Sequence, residues 1–311
     1  MRRRPLSSAL ALAAAVAAAP ASASAEGPGE GADAARAARG DGDTLLYSGV
    51  AGDLLLAETA RPGRRHALVS TGLASADFAR GDFDGVGAGL GSARIPIELR
   101  AAVELRRDAP GPVRDLTLSF GSLNNLAAGD AAAPGVWYES NDFAAAAARV
   151  GRDWLVGLAY SAFLVPPELS ASSREVAAAL RYDGSGPIGR FGPQLKLAAV
   201  TSGGPGGFAQ LSLGPPELTL FAAEGGGLGL SVPAEVGVGF GDYYGRGTGT
   251  TGYAALGLFA ALSLGRTGDA LWTLSGGLRV AARAPALRRS EPDGHDALLA
   301  PEAALALSMV Y

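Results

Sequence analysis

Apolar and polar residues alternate one by one along most of the chain from Thr44 onward. The clearest stretch runs from Arg94 to Asp108. Ile95, Ile97, Leu99, Ala101, Val103 and Leu105 take one parity; Pro96, Glu98, Arg100, Ala102, Glu104 and Arg106 take the other. Successive side chains of a strand point to opposite faces, so this segment has one apolar and one charged face. A helix would scatter the charge around its cylinder and place Pro96 in its first turn. The parity recurs downstream. Trp154, Val156, Leu158 and Tyr160 alternate with Leu155, Gly157, Ala159 and Ser161. Val236, Val238 and Phe240 face away from Glu235, Gly237 and Gly239, and Leu305, Leu307, Met309 and Tyr311 alternate with Ala304, Ala306 and Ser308.

Clusters of Gly, Pro, Asp and Ser separate these segments, among them Asp108 to Pro112, Asp183 to Pro187, Ser202 to Gly207 and Gly241 to Gly252. Strands of roughly ten residues punctuated by turn chemistry predict an all-β fold, either a sandwich or a barrel. Three features favour a transmembrane antiparallel up-and-down β-barrel. The second face carries Gly, Ala, Ser and charge, too little bulk for the dense interior of a sandwich. Aromatic residues fall near strand ends (Trp137, Tyr138, Trp154, Tyr182, Tyr243, Tyr244, Tyr253, Trp272 and Tyr311), as in the interfacial girdles of membrane barrels. Finally, the chain ends on an alternating apolar strand with Tyr311 last. That ending is similar to the C-terminal signal of bacterial outer-membrane proteins, in which phenylalanine is the usual last residue.

Twelve strands are predicted, over 65–78, 93–107, 113–123, 136–149, 152–164, 173–183, 190–201, 207–220, 228–241, 252–264, 270–284 and 301–311. Ten and fourteen are the alternative counts, since bacterial single-chain barrels have an even number. Leu45 to Leu56 looks like a thirteenth. It reads as a hairpin around Gly49–Asp53, a partial plug, or the true first strand. With both termini in the periplasm, loops 79–92, 124–135, 165–172, 241–251 and 285–300 fall outside, and 108–112, 183–189 and 265–269 are periplasmic turns.

The start of the chain changes where this barrel is expected to reside. Arg2, Arg3 and Arg4 precede an apolar run from Ala9 to Ala19 and the small-residue ending Ala21 to Ala25. Those are the three parts of a secretory signal peptide, so residues 1–25 are expected to be removed. Residues 26–43 carry Gly, Ala and charge without an apolar period and read as a flexible extension, leaving 44–311 for the barrel. Without the leader the chain has 23 Lys+Arg against 30 Asp+Glu, a net charge of −7. That argues against nucleic acid as a partner, and export argues against nucleotide cofactors. No cofactor is expected. With no cysteine, there are no disulfides, thiolate zinc sites or Fe–S clusters.

At Gly135-Val-Trp-Tyr-Glu-Ser-Asn141 the chain meets a known pattern. The WYES segment is followed by WLVGLAYSAFLVPP, then REVAAALRYDG, and later VPAEVGVGFGDYY. This succession resembles a group of proteobacterial outer-membrane β-barrel proteins related to the TorF-type porin candidates, over roughly residues 115–311. The resemblance implies a barrel in the bacterial outer membrane, and it brings no substrate and no catalytic residues. Where those relatives carry an aspartate after WYES, this chain has Asn141 followed by Asp142. Residues 44–110 share no such pattern.

Little in the chain points to catalysis or a metal. Asp82-Phe83-Asp84-Gly85 mimics the start of an EF-hand loop, but position twelve, a bidentate glutamate in that loop, is Ala93. Gly87 to Gly91 lacks the spacing and βαβ context of a dinucleotide loop. His66 and His295 are the only histidines, and the strand assignment puts them at opposite ends of the barrel, which leaves a hydrolase as the least favoured reading.

The one constellation with functional promise is the charge on the second face: Glu98, Arg100, Glu104, Arg106, Glu175, Arg181, Lys196, Glu235 and Arg279, all expected to line the lumen. They serve either as mutually paired filler of a closed barrel or as the lining of a wet conduit that sets its ion preference. The expected activity is porin-like passive diffusion of small solutes or ions, with a closed structural or surface-interaction barrel as the alternative. The expected partners are outer-membrane lipid and, during insertion, the barrel-assembly machinery at the last strand.

Overall fold

The computed structural model describes residues 65–75, 78–79, 82–83, 93–107, 109–128, 137–164, 173–184, 186–214, 218–223, 226–245, 247–268, 270–290 and 297–311. The leader, the 26–43 extension, the Leu45 to Leu56 segment and His295 lie outside the described residues. The strands are β1 (Arg65–Ala74), β2 (Phe78–Ala79), β3 (Asp82–Phe83), β4 (Ala93–Arg106), β5 (Val113–Ala128), β6 (Trp137–Val150), β7 (Trp154–Leu164) and β8 (Ser173–Tyr182). They continue with β9 (Gln194–Ser202), β10 (Gly207–Leu213), β11 (Leu218–Ala223), β12 (Gly226–Ser231), β13 (Ala234–Phe240), β14 (Thr251–Thr267), β15 (Ala270–Arg283) and β16 (Leu299–Val310). Among the described residues a short α-helix, α1 (Pro285–Ser290), precedes β16.

β2 and β3 form a small separate hairpin; the others belong to one sheet. Two pairs of strands each make one interrupted stave. β10 and β11 pair in turn with β13 and β12, while β12 and β13 flank Val232 and Pro233 and pair with successive parts of β14. Proline has no N–H for the ladder, which accounts for the second break. Its carbonyl still accepts the Gly257 N–H at 2.9 Å. Counted as staves, the sheet is a ring of twelve antiparallel strands in up-and-down order, closed where β1 meets β16. At that seam Ala67 and Tyr311 exchange both main-chain hydrogen bonds, at 3.0 and 2.8 Å. Both ends of the described chain therefore meet at one end of the barrel, called here the terminal end. The opposite, far end carries the connections after β1, β5, β7, β9, β13 and β15.

The burial pattern is the reverse of a soluble protein's. Leu158 is 58% exposed and Leu99 48%, whereas Glu98, Lys196 and Arg279 are each only 2% exposed. Outward parity carries most of the leucine and valine; inward parity carries small, polar and charged residues together with a few aromatic rings such as Phe143, Phe208 and Phe259. With each of the twelve staves paired to a neighbour on both sides and an apolar outer surface, this is a membrane-spanning β-barrel.

Aromatic residues divide between the two faces. Trp154 and Tyr182 pair across β7 and β8 with ring centroids 4.9 Å apart, and with Trp272 and Tyr311 they mark the outer wall near the terminal end. Trp137 is exposed toward the far end. Tyr243, Tyr244 and Tyr253, expected in the girdle, are turned inward instead, because the 241–250 connection folds into the mouth and Tyr253 has inward parity on β14. The side chain of Tyr138 is outside the description.

Inside, three aromatic rings lie across glycines directly opposite on the neighbouring strand: Phe143 over Gly121, Tyr253 over Gly237 and Phe259 over Gly277. A Cβ at any of these glycines would overlap the ring. The missing side chain is what lets a large ring lie flat on a narrow inner wall.

The outer wall makes a direct prediction. Leu158→Arg, in the middle of β7, should destabilise the folded barrel in liposomes by about 2–4 kcal/mol, while Leu158→Ala costs less. Urea titration of the bilayer-inserted protein measures both; equal, small effects would show that this face does not meet lipid.

Candidate functional site: the barrel interior

The inner wall carries ionic groups because the period of two that turns leucines outward turns the intervening charges inward. The best-connected group spans β13 to β16. Arg279 on β15 donates to Glu302 Oε2 through Nη2 at 2.8 Å and Nε at 3.1 Å, and reaches Glu235 Oε1 on β13 through Nη1 at 3.4 Å. Glu235 also accepts hydrogen bonds from Gln210 Nε2, at 2.8 Å, and from the Tyr253 hydroxyl. The guanidinium crosses β14 where that strand presents only Ala255 and Gly257. Small residues there make the bridge possible. Lys196 on β9 extends the group, its Nζ 5.8 Å from the centroid of the Phe208 ring.

On β4, Glu98 and Arg100 form an ion pair, and the Arg100 guanidinium lies 5.3 Å from the Phe143 ring centroid. Nearer the terminal end, Glu104 contacts His66 Nε2 at 3.1 Å and Arg107 Nη1 at 3.3 Å. Arg181 pairs with Asp183 at 2.7 Å, and Arg149 joins Asp183 to Asp115. Toward the far end, Glu139 accepts from Asn125 and Asn141 at 2.9 and 2.6 Å.

At the far-end mouth the 241–250 connection bends inward. Its turn is held by Asp242, whose φ of 63° is in the left-handed region and whose Oδ1 accepts the Gly249 N–H at 2.7 Å. Tyr243 stacks on Phe208 with centroids 5.3 Å apart, and Tyr244 meets both rings edge-on. The Tyr243 hydroxyl donates to Glu175 Oε2 on β8 at 3.1 Å. Gly206 (φ 119°) permits the close passage, since a Cβ there would press on the Tyr243 backbone. Beside it Leu287 of α1 is fully buried.

Eight of the nine charges expected in the lumen therefore have inward positions: Glu98, Arg100, Glu104, Glu175, Arg181, Lys196, Glu235 and Arg279. Arg106 is the correction. A bulge between Glu104 and Arg106 advances the parity by one, so Arg106 faces outward opposite Leu116 and hydrogen-bonds the Pro110 carbonyl in the following turn. The structure brings Glu235 and Arg279 into contact, with Lys196 nearby; Glu98 meets Arg100, while Glu104, Glu175 and Arg181 meet His66, Tyr243 and Asp183. Sequence reasoning missed Arg94, Arg283 and Glu302, all buried, although each lies on the inward parity of its strand. Extending the alternation to the strand ends would have found them. The roles of Phe208 and Tyr243 carry no comparable signal. Among the described residues no group of three His, Asp or Glu side chains is arranged to hold a metal ion. The EF-hand-like segment is described only at Asp82–Phe83, in the small hairpin, and at Ala93.

No family model and no curated protein matches the chain. Among solved structures it is similar to an outer-membrane channel from Pseudomonas putida F1, at 11% identity and a TM-score of 0.43, covering 81% of this chain and 97% of that one. It is also similar to a bacterial polysaccharide outer-membrane secretin, at 10% identity and a TM-score of 0.38, covering 79% and 97%. The outer-membrane protease OmpT of Escherichia coli follows at 9% identity and a TM-score of 0.19, covering 80% and 95%.

The Arg279 bridge supplies a test. Arg279→Leu leaves Glu235 and Glu302 buried without their shared cation and should cost about 3–5 kcal/mol of stability. The triple variant with Glu235→Gln and Glu302→Gln should recover most of that loss. Unfolding in urea with intrinsic tryptophan fluorescence reads both; a harmless Arg279→Leu would mean the three groups are not coupled.

Proposed function

We propose that the protein is a channel of the bacterial outer membrane, passing small solutes or ions by passive diffusion through a narrow polar interior. The observation that carries this reading is the distribution of ionic groups over the inner wall. They run from His66 and Glu104 at the terminal end, through Glu98, Arg100, Lys196, Glu235 and Arg279, to Glu175 at the far end. A wall that needs only to be filled is more stably packed with apolar groups than with ion pairs, whose desolvation offsets much of their attraction. Charge along a conduit, by contrast, sets which ions enter. The resemblance of residues 115–311 to TorF-type porin candidates supports the same reading. Export through a cleaved leader at residues 1–25 and insertion by the barrel-assembly machinery acting on β16 belong to this proposal, with lipid as the standing partner and no cofactor.

One observation favours a second reading. The inward charges are largely paired with one another, and Glu98, Glu175, Lys196, Glu235 and Arg279 are all buried, as a closed structural barrel would have them. Planar-bilayer recordings of the purified protein separate the two. A channel gives discrete conductance steps, and Arg100→Ala and Glu98→Ala shift its reversal potential in a salt gradient in opposite directions. Silence from correctly folded protein supports the closed barrel.

A further inference from the structure

We propose that the Gly241–Gly245 strap is a gate over the far-end mouth, held shut by the hydrogen bond from Tyr243 to Glu175. This rests on the channel reading above and adds to it the place where passage is controlled.

The strap turns into the barrel and seats Tyr243 and Tyr244 against Phe208, which is wholly buried. Its polar anchor on the opposite part of the arc is Glu175 of β8, three staves away from β13 in the order β13, β10, β9, β8. One phenol thus ties the connection after β13 to a strand it does not otherwise pair with.

Three hydrogen bonds brace the turn from within its own connection. Asp242 N–H donates to the Gly249 carbonyl, Gly245 N–H to the Asp242 carbonyl, and Gly249 N–H to the Asp242 carboxylate. A unit braced internally can swing while keeping its shape. Gly241, with φ at 65°, stands where the strap leaves β13 and has the backbone freedom of a pivot. The gate lies directly above the ionic group, since Phe208 beneath Tyr243 is the ring on which Lys196 rests. Whatever passes the strap meets Lys196 next, and then Glu235 and Arg279. Breaking the Tyr243–Glu175 bond weakens the hold across the arc while the stacking on Phe208 remains, so the strap opens more often without the mouth losing its packing.

The chain has no cysteine, so a single introduced thiol reports access cleanly. Ala198, buried on β9 directly opposite Phe208, is replaced by cysteine in the full-length protein. The rate of its modification by a charged methanethiosulfonate is then compared among the parent, Tyr243→Phe and Glu175→Gln backgrounds. Each substitution removes the same charge-assisted hydrogen bond with little change of shape. Each should speed modification about tenfold, and the double variant should be no faster than either single one. Heat-modifiable gel mobility verifies the fold, and either variant suffices if the other fails to insert. Equal rates in all backgrounds would overturn the gate.

Bilayer recordings of the same proteins keep the two readings apart. Conductance from all of them with equal thiol rates removes the gate and leaves the channel. Faster thiol modification without conductance from any of them removes the channel and leaves the strap as a cover of the interior.

Discussion

A peptide group in hydrocarbon has no water to bond, and that constraint shapes this molecule throughout. Each stave must find a partner on both sides, so the sheet closes on itself and β1 must meet β16. Once the ring closes, the pleat does the rest. Alternate side chains go to lipid or to the interior, and the sequence carries leucine and valine for one and Ser, Ala, Gly and charge for the other. Hydrogen bonding thus fixes the architecture, while the hydrophobic pattern selects which face goes out.

The interior then has an electrostatic problem of its own. Burying Glu98, Glu175, Lys196, Glu235 and Arg279 is costly unless each meets a partner, and the partners come from the same strand for Glu98, from across β14 for Glu235 and from the connection after β13 for Glu175. That sets demands on residues with no charge at all. Arg279 reaches Glu235 because Ala255 and Gly257 intervene, and Phe143 can lie beneath Arg100 because Gly121 has no side chain to displace it. The abundance of small residues on the inner wall is in this sense a condition of the ionic network.

Most of the fold was legible in the chain, since a period of two carried over ten or more residues has few competing explanations. The strand assignments for 93–107, 136–149, 152–164 and 173–183 lie within two residues of the observed ends. The misses have local causes. The expected 190–201 strand starts later because a 3-10 turn, Gly189–Phe191, takes its first residues. Pro233 divides β12 from β13 in a stave that alternation alone reads as continuous. Arg106 was misplaced because a bulge adds one residue without leaving a mark in the pattern. The inward charges were legible for the same reason as the strands, but their pairing was not. Which guanidinium meets which carboxylate depends on the shear between staves, and that is a property of the closed ring. Tyr243 was read as a girdle residue because an aromatic near a strand end looks alike whether its loop turns outward or in.

The two divided staves are neighbours: Leu213 of β10 pairs with Ala234 of β13, and Leu218 of β11 with Leu230 of β12, on either side of Val232 and Pro233. Around the rest of the circumference, long ladders brace the cylinder against distortion. Here Pro233 has no N–H to give the ladder, although its carbonyl still holds Gly257. A ladder short of one N–H yields more readily to lateral pressure from the bilayer than a complete one. Glu235 stands two residues past that soft spot, so flexing of the sheet is transmitted first to the carboxylate that Arg279 clasps.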